Sequence, residues 1–441
     1  MTADAANVQD GVRIADQLEL PNPCLRFLPE VETLDDGFEK MECIPSEHSQ
    51  DARISEDDFQ IPTFEHARLA VELVAAVRQS AAERNLNSAD FRRTTISAGE
   101  LINHVADRHG RTMPAAPVTV EHAVPRGLFA VVPAGVGQRA LRSAVQRIFG
   151  TKPEPVDVEL PEGGLIRYLR LPSLCVPFPS KPTPRSFAKD FLSRFNSAMN
   201  RRFTGARGPL HRGEEDINAA LPAYGIAANL GLLIVEQINT RAAGAHAASA
   251  LWDTLAQFTV ATGIPILCLA TPGAAAALSE QSGAIAALAS KTVYHMAPAL
   301  PDSEQWTVVA AYLYARHLTR CLGDRKPDWF SQGLWRLTLG HQQLAAKVCT
   351  HIASVSRKDG HKQPSESEFM KEAAEALVLE MPHLMAVRKM RSGGSFTVSS
   401  VRRHGDWLPL EAVMQSVPGL EEADTTLRIV AACRTEGGND A

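Results

Sequence analysis

From Phe64 to Glu83 the apolar residues Ala67, Leu69, Ala70, Leu73, Val74 and Val77 recur at helical spacing and predict an amphipathic helix. A second helix is expected over residues 97–108. Residues 127–132 differ: they form a short unbroken apolar run, the pattern of a strand buried on both faces. The turn Pro133-Ala134-Gly135-Val136-Gly137 follows. Residues 138–149 then place Leu141, Val145 and Ile148 on one helical face. Residues 165–171, 230–235, 264–269 and 292–296 read as further strands. Phe187, Phe191, Phe195 and Met199 lie four apart and mark the buried face of a helix. Leu251, Leu255 and Phe258 mark another, which Gly263 ends. Strands alternating with helices predict an α/β fold, a parallel sheet with helices on both faces. After Pro301 the pattern is all-helical to about Val387, most strongly over residues 328–352. Short β-like runs are expected at 395–401 and 426–432.

Residues 1–58 show no sustained period and are rich in acid and proline, so they are expected to be a disordered tail. The first 60 residues hold 15 acidic against 4 basic side chains, and the remainder 35 against 41. A mildly basic body behind an acidic tail is compatible with a nucleic-acid partner. Arg201, Arg202 and Arg207, with Arg388, Lys389 and Arg391, are the candidate phosphate contacts; Arg402-Arg403-His404 is a further basic cluster. Each cluster also reads as ordinary solvated surface.

The seven cysteines form no CxxC pair, and most lie in apolar stretches, which fits reduced, buried thiols. The 14 histidines show no metal-binding spacing, and no metal ligand is proposed from them. No apolar run reaches the ~18–20 residues that span a bilayer. The start of the chain lacks the basic and apolar regions of a secretory signal. A cytoplasmic protein without a membrane partner is expected.

Strand, glycine-rich turn, helix is the order of a phosphate-binding loop. In that motif, G-x-x-x-x-G-K-[ST], backbone N–H groups cradle the phosphates, a lysine reaches the outer phosphates and a hydroxyl holds Mg²⁺. In Pro133, Gly135, Val136, Gly137, Gln138 and Arg139 the lysine position holds Gln138 and the hydroxyl position holds Arg139. About a hundred residues on, Leu232-Leu233-Ile234-Val235 ends in Glu236-Gln237, resembling a Walker B strand that would end in Asp-Glu. Glu236 could approach a metal; the neutral amide of Gln237 cannot act as a base.

Residues 251–274 contain Trp252-Asp253-x-Leu255, then Thr262-Gly263-Ile264-Pro265-Ile266-Leu267, then Ala270-Thr271-Pro272-Gly273-Ala274. This run resembles a segment of the AAA+ transposition regulators of the TniB/TnsC kind, and Thr271 matches their sensor-1 position. Leu334-Trp335-Arg336-Leu337-Thr338-Leu339-Gly340 and Lys347 are similar to that family's lid helix. The motifs agree in order and spacing over residues 60–390. The resemblance implies a P-loop NTPase (AAA+) core over 59–300, a helical lid over 301–390 and an extension over 391–441. It also implies ATP and Mg²⁺ as cofactors, and a homo-oligomer on double-stranded DNA that links a target-selector protein to a transposase.

Gln138, Arg139, Glu236 and Gln237 depart from the family pattern together. Between Arg241 and Arg316 there is no arginine and the only lysine is Lys291, so the trans arginine finger that would stabilise transferring phosphate is also missing there. Loss of hydrolysis is the simpler account. Nucleotide binding stays open: Arg139 could pair with a phosphate, or occupy the site and bind Glu236. The expected function is therefore a transposition regulator or adaptor with little or no ATP turnover. An active ATPase with atypical motifs and an unrelated α/β protein with an incidental glycine turn are the alternatives.

Overall fold

A computed structural model describes residues 20–44, 59–106, 118–160, 163–200, 214–358 and 365–415. Its strands are β1 (Gly127–Val131), β2 (Glu154–Glu159), β3 (Leu165–Arg170), β4 (Ser173–Pro177), β5 (Leu232–Ile238), β6 (Ile266–Ala270) and β7 (Val293–His295). Helices α1 (Leu34–Met41), α2 (Phe64–Glu83) and α3 (Ala89–Ala106) precede β1, and α4 (Gln138–Phe149) follows it. Between β4 and β5 stand α5 (Pro184–Ala198) and α6 (Glu214–Ala227). Between β5 and β6 stand α7 (Thr240–Ala243) and α8 (Ala248–Thr262), and between β6 and β7 stand α9 (Pro272–Ser279) and α10 (Ser282–Leu288). The chain then runs through α11 (Glu304–Leu313), a π-helical turn (Tyr314–Leu318), α12 (Thr319–Leu322), α13 (Phe330–Thr338) and α14 (Gln342–Lys358). It continues through α15 (Glu366–Ala376), α16 (Met381–Arg391), α17 (Val398–His404) and α18 (Leu410–Met414).

The main sheet has the order β4-β5-β6-β1-β7, with every pairing parallel. Side chains alternate across it, because the strand period is two. Phe129, Val131, Leu233, Val235, Ile266 and Cys268 enter one core, shared with α5, α6 and α8. Leu128, Ala130, Leu232, Ile234, Leu267 and Leu269 enter the other, shared with α1, α2 and α4. Both faces are thus covered, which is why these strands read as unbroken apolar runs. Gly263 ends α8 in the left-handed conformation with φ 64°, where a side chain would be strained. A third core belongs to the helices after β7 and is built on Trp306, Phe330, Leu334, Cys349, Phe369 and Leu384. The predicted α/β architecture, a parallel sheet with helices on both faces followed by a helical subdomain, is the architecture observed.

Three expectations are corrected. Residues 20–44 are not a disordered tail. Asn22 Nδ2 donates to the carbonyls of Ala81 (2.6 Å) and Arg84 (2.7 Å), closing the end of α2. Thr33 and Asp36 make a reciprocal capping box that starts α1, and Leu28, Val31 and Met41 are buried. Too few apolar residues stand there to show a period, yet each fits against α2. Residues 1–19 and 45–58 lie outside the described residues. The strand expected at 165–171 is found, but it pairs antiparallel with β2 in a separate hairpin. The strand that completes the sheet edge, β4, has Pro172 before it and Pro177 at its end; an edge position tolerates both. Finally, the run at 395–401 is not β-like. The Thr397 hydroxyl accepts from Ser400 N–H and starts α17. The run at 426–432 lies outside the described residues.

Cys24, Cys43, Cys268, Cys321 and Cys349 are buried, and Cys175 is half-buried. Cys433 lies outside the described residues. Among the described residues no helix is long and apolar enough to cross a membrane.

Deleting residues 1–44 should destabilise the protein, since burial of Leu28, Val31 and Met41 contributes about 1.5–3 kcal/mol each. A urea midpoint equal to that of the full chain would refute this packing. Two buried histidines set a pH dependence. His66 Nδ1 accepts from Thr63 N–H (3.1 Å), and His341 Nδ1 donates to the Thr338 carbonyl (2.7 Å). Burial pushes both from 6.5 down to about 4. The unfolded chain therefore takes up these protons first, so the stability is complete above about pH 6.5 and lost as pH falls toward 4. The thermal midpoint should drop across that window, and His66→Gln should flatten the drop.

Candidate functional site

Parallel strands deliver their following loops to one edge of the sheet, and ligands of open α/β sheets bind at that edge. Val131 of β1 is in register with Ala270 of β6, so the turn after β1 lies beside Thr271. The turn has the backbone of a phosphate cradle. Gly135 (φ 80°) and Gly137 (φ 134°) are left-handed, a conformation that glycine adopts without strain. Val136 N–H donates to Pro133 O (3.1 Å), and Gly137 caps α4.

The side chains that should meet a nucleotide are otherwise engaged. Gln138 Nε2 donates to the Leu269 carbonyl of β6 (2.6 Å), away from the mouth of the turn. Arg139 is exposed on the first turn of α4. The partner of Glu236 is not Arg139 but Arg142, one turn further along α4. Arg142 Nη1 lies 3.2 and 3.1 Å from the two carboxylate oxygens. The Glu236 side chain is only 8% exposed, so the carboxylate is shielded from solvent, while Arg142 is half-buried. Cys175 of β4 lies beside Glu236; burial first, then that carboxylate, push its thiol up. After Glu236 the β5–β6 register slips between Val235 and Ile238. This bulge turns Gln237 outward with φ 62°. Glu236 and Gln237 therefore do not form a metal-and-water pair.

The C-terminal segment fills the space above the turn. Ala134 N–H donates to the Asp406 carbonyl (2.7 Å), and Gly273 N–H to the Gly405 carbonyl (2.9 Å). The Asp406 side chain accepts three hydrogen bonds at Oδ1: from Thr240 N–H (2.8 Å), Thr240 Oγ1 (2.6 Å) and Thr271 Oγ1 (2.5 Å). Thr271, the candidate sensor-1 residue, is thus bound to a carboxylate of its own chain. A Cβ on Gly135 would stand 3.1 Å from Leu344 and 3.2 Å from Trp407. The cradle is closed by these two side chains. Beside it, at the carboxyl ends of β1 and β7, a cavity of ≈ 540 Å³ remains between Pro133, Met296, His341, Trp407 and Leu410.

ATP and Mg²⁺ do not fit the residues present. One cradle N–H is already bonded to Asp406, no lysine stands in the turn, and the candidate metal carboxylate is paired with Arg142. Among the described residues no group of three or more His, Cys, Asp or Glu could hold a metal ion.

Arg388, Lys389 and Arg391 share the last turn of α16. Arg388 donates to the Arg336 carbonyl, Lys389 lies 5.0 Å from the Phe396 ring centre and Arg391 5.4 Å from that of Trp335. All three remain exposed. Arg201, Arg202 and Arg207 lie outside the described residues. Sequence reasoning missed Arg142, Thr240, Asp406 and Trp407. Only Arg142 left a signal: Glu236, alone on a buried strand, requires a cation.

No protein-family model matches the chain. No curated protein matches it by sequence. Solved structures similar to it include the ORC2 protein of Aeropyrum pernix in ADPNP and ADP complexes, 12% identical, covering 75% of this chain and 94% of that one, TM-score 0.38. A Walker-type ATPase of Pyrococcus abyssi is 12% identical, covering 69% and 77%, TM-score 0.39. Drosophila ORC bound to DNA is 11% identical, covering 97% and 91%, TM-score 0.32. At these scores the likeness carries no argument, and the fold is read from the sheet order and the cores.

Arg142→Ala should leave the buried Glu236 carboxylate without its partner and cost about 3–5 kcal/mol. Adding Glu236→Gln should restore part of the loss, because the charge is removed with its partner. Urea unfolding of both variants checks this; equal midpoints for Arg142→Ala and the parent protein would show that the pair contributes nothing.

Proposed function

We propose that this chain is an AAA+-derived regulator of DNA transposition that acts as an adaptor and not as an ATPase. Its partners are double-stranded DNA, a transposase and a target-selector protein, and it assembles as a homo-oligomer on DNA. The observation that carries the loss of turnover is the Asp406 carboxylate bonded to Thr240 and Thr271 above a lysine-free turn. Hydrolysis requires groups placed in advance to stabilise charge on the transferring phosphoryl. Here the positions available for them are taken by Gln138, the Arg142–Glu236 pair and Asp406.

The transposition reading is supported by the collinear motifs from the glycine turn through Trp252–Ala274 to Leu334–Lys347. The DNA reading is supported by the exposed cations of α16. Arg388 and Lys389 would contact phosphate without reading bases. AAA+ origin accounts for the turn, the buried β5 and the helical subdomain with a single architecture.

A phosphate-release assay with ATP, Mg²⁺ and duplex DNA should give no turnover above background. Duplex binding should weaken steeply with salt, independent of sequence. Arg388→Ala with Lys389→Ala should weaken it and reduce the slope of log K against log salt by about 2. Brisk Mg²⁺-dependent turnover would establish an active ATPase instead. Absence of duplex binding at low ionic strength would remove the DNA role.

A further inference from the structure

The turn at Gly405–Trp407 is anchored in the crevice by features that a simple domain contact does not require. Three donors converge on one carboxylate oxygen, Asp406 Oδ1, from two different loops at the carboxyl edge of the sheet. Two backbone bonds, Ala134 N–H to Asp406 O and Gly273 N–H to Gly405 O, hold the turn on either side of that oxygen. One of those donors is a cradle amide, a group that in a phosphate loop faces an oxyanion. Trp407 then covers Gly135 and stacks on His383 of α16, ring centres 5.1 Å apart and planes 14° apart. Converging hydroxyl and backbone N–H donors suit an acceptor rich in lone pairs, such as the oxygen of a carboxylate or phosphate.

We infer that the crevice after β1 is an anion-binding site occupied by the chain itself, with the Asp406 carboxylate standing in the place of a phosphate-type ligand and Trp407 as its cover. The site takes small oxyanions, phosphate or carboxylate, once that side chain is removed. The inference rests on reading the turn as a former nucleotide site; it does not rest on the role in transposition. It agrees with the absence of the loop lysine: Asp406 carries a single negative charge that neutral hydroxyl and amide donors already meet. It also accounts for the path of the chain after α16, which returns from the helical subdomain to the sheet edge at Asp406.

The test uses the full chain and needs neither ATP turnover nor DNA binding as a readout, so it stands apart from the fate of the proposed function. In Asp406→Ala, amide hydrogen exchange at Thr240 should rise about tenfold or more, the effect of losing a hydrogen bond to a charged group, and exchange at Ala134 and Gly273, bonded to the backbone carbonyls of Asp406 and Gly405, should rise as the turn loosens. Sodium formate or inorganic phosphate, each compared with sodium chloride at equal ionic strength, should restore protection and raise the thermal midpoint of Asp406→Ala, with little effect on the parent protein. Rescue by formate alone would define a carboxylate-sized site, and rescue by phosphate a site able to hold the larger anion. Unchanged exchange in the variant, or equal responses of variant and parent to the anions, would overturn the inference. Should Asp406→Ala fail to fold, Asp406→Ser keeps a short polar side chain and still removes the carboxylate. Lost protection at Ala134 and Thr240, recovered with phosphate, would then support the inference, and full protection would overturn it.

Discussion

A parallel strand cannot return to its neighbour through a tight turn, so each connection must cross a face of the sheet and bury it. That constraint organises this protein. β1, β5 and β6 are flanked on both sides and covered on both faces, and their alternating side chains divide between two separate cores. All the loops after these strands then open on one edge. The register of β1 with β6 brings the glycine turn next to Thr271, and the β5–β6 pairing brings Glu236 and Thr240 to the same edge. No residue of the site could be near another without this arrangement.

At that edge, electrostatics decides what the turn can do. A buried carboxylate must be neutralised, and the usual choices are a metal ion, a proton or a fixed cation. Glu236 has the fixed cation. Arg142 reaches it from the second turn of α4, so the helix that would receive phosphate at its start is tied instead to the end of β5. Gln138 makes a comparable tie, to the carbonyl of Leu269 on β6. Both bonds brace the crevice internally. A turn with lysine and hydroxyl at these positions would leave donors directed at an external ligand; this one directs them at its own strands.

β1, β5 and β6 were legible in the chain because they are buried on both faces and therefore continuous in apolar residues, whereas the edge strand β4 and the hairpin strand β2 carry no such run. The glycine turn was legible because a left-handed backbone calls for glycine. What escaped were contacts between distant segments. Asp406 meets Thr240 across 166 positions, and nothing in the local composition of either announces it. Residues 395–401 carry Ser, Thr, Val and Phe in a β-like alternation, but the Thr397 cap and burial of Val401 in the helical core decide for a helix. The N-terminal segment misled for a related reason: a handful of apolar side chains has no period, yet α2 offers each a place. Pairing of Glu236 with Arg142 in place of Arg139 turns on helical geometry of a single turn, below what motif spacing resolves.

The segment from α17 to α18 belongs to two bodies at once. Val401, Leu408 and Val413 are part of the helical core, while Gly405 and Asp406 are bonded to loops of the sheet. Trp407 lies between them, against Gly135 on one side and His383 on the other. Any rotation of the helical subdomain away from the sheet must therefore break the bonds to Asp406 or unfold the turn that carries it. A nucleotide bound between core and lid would couple those bodies through its phosphates and base, and the coupling would vary with the nucleotide. Here the coupling is covalently part of the chain and constant in composition. Changes in the relative position of the two bodies must then come from groups that compete for the Thr240 and Thr271 donors or from forces applied at the outer surfaces, where α16 presents Arg388 and Lys389.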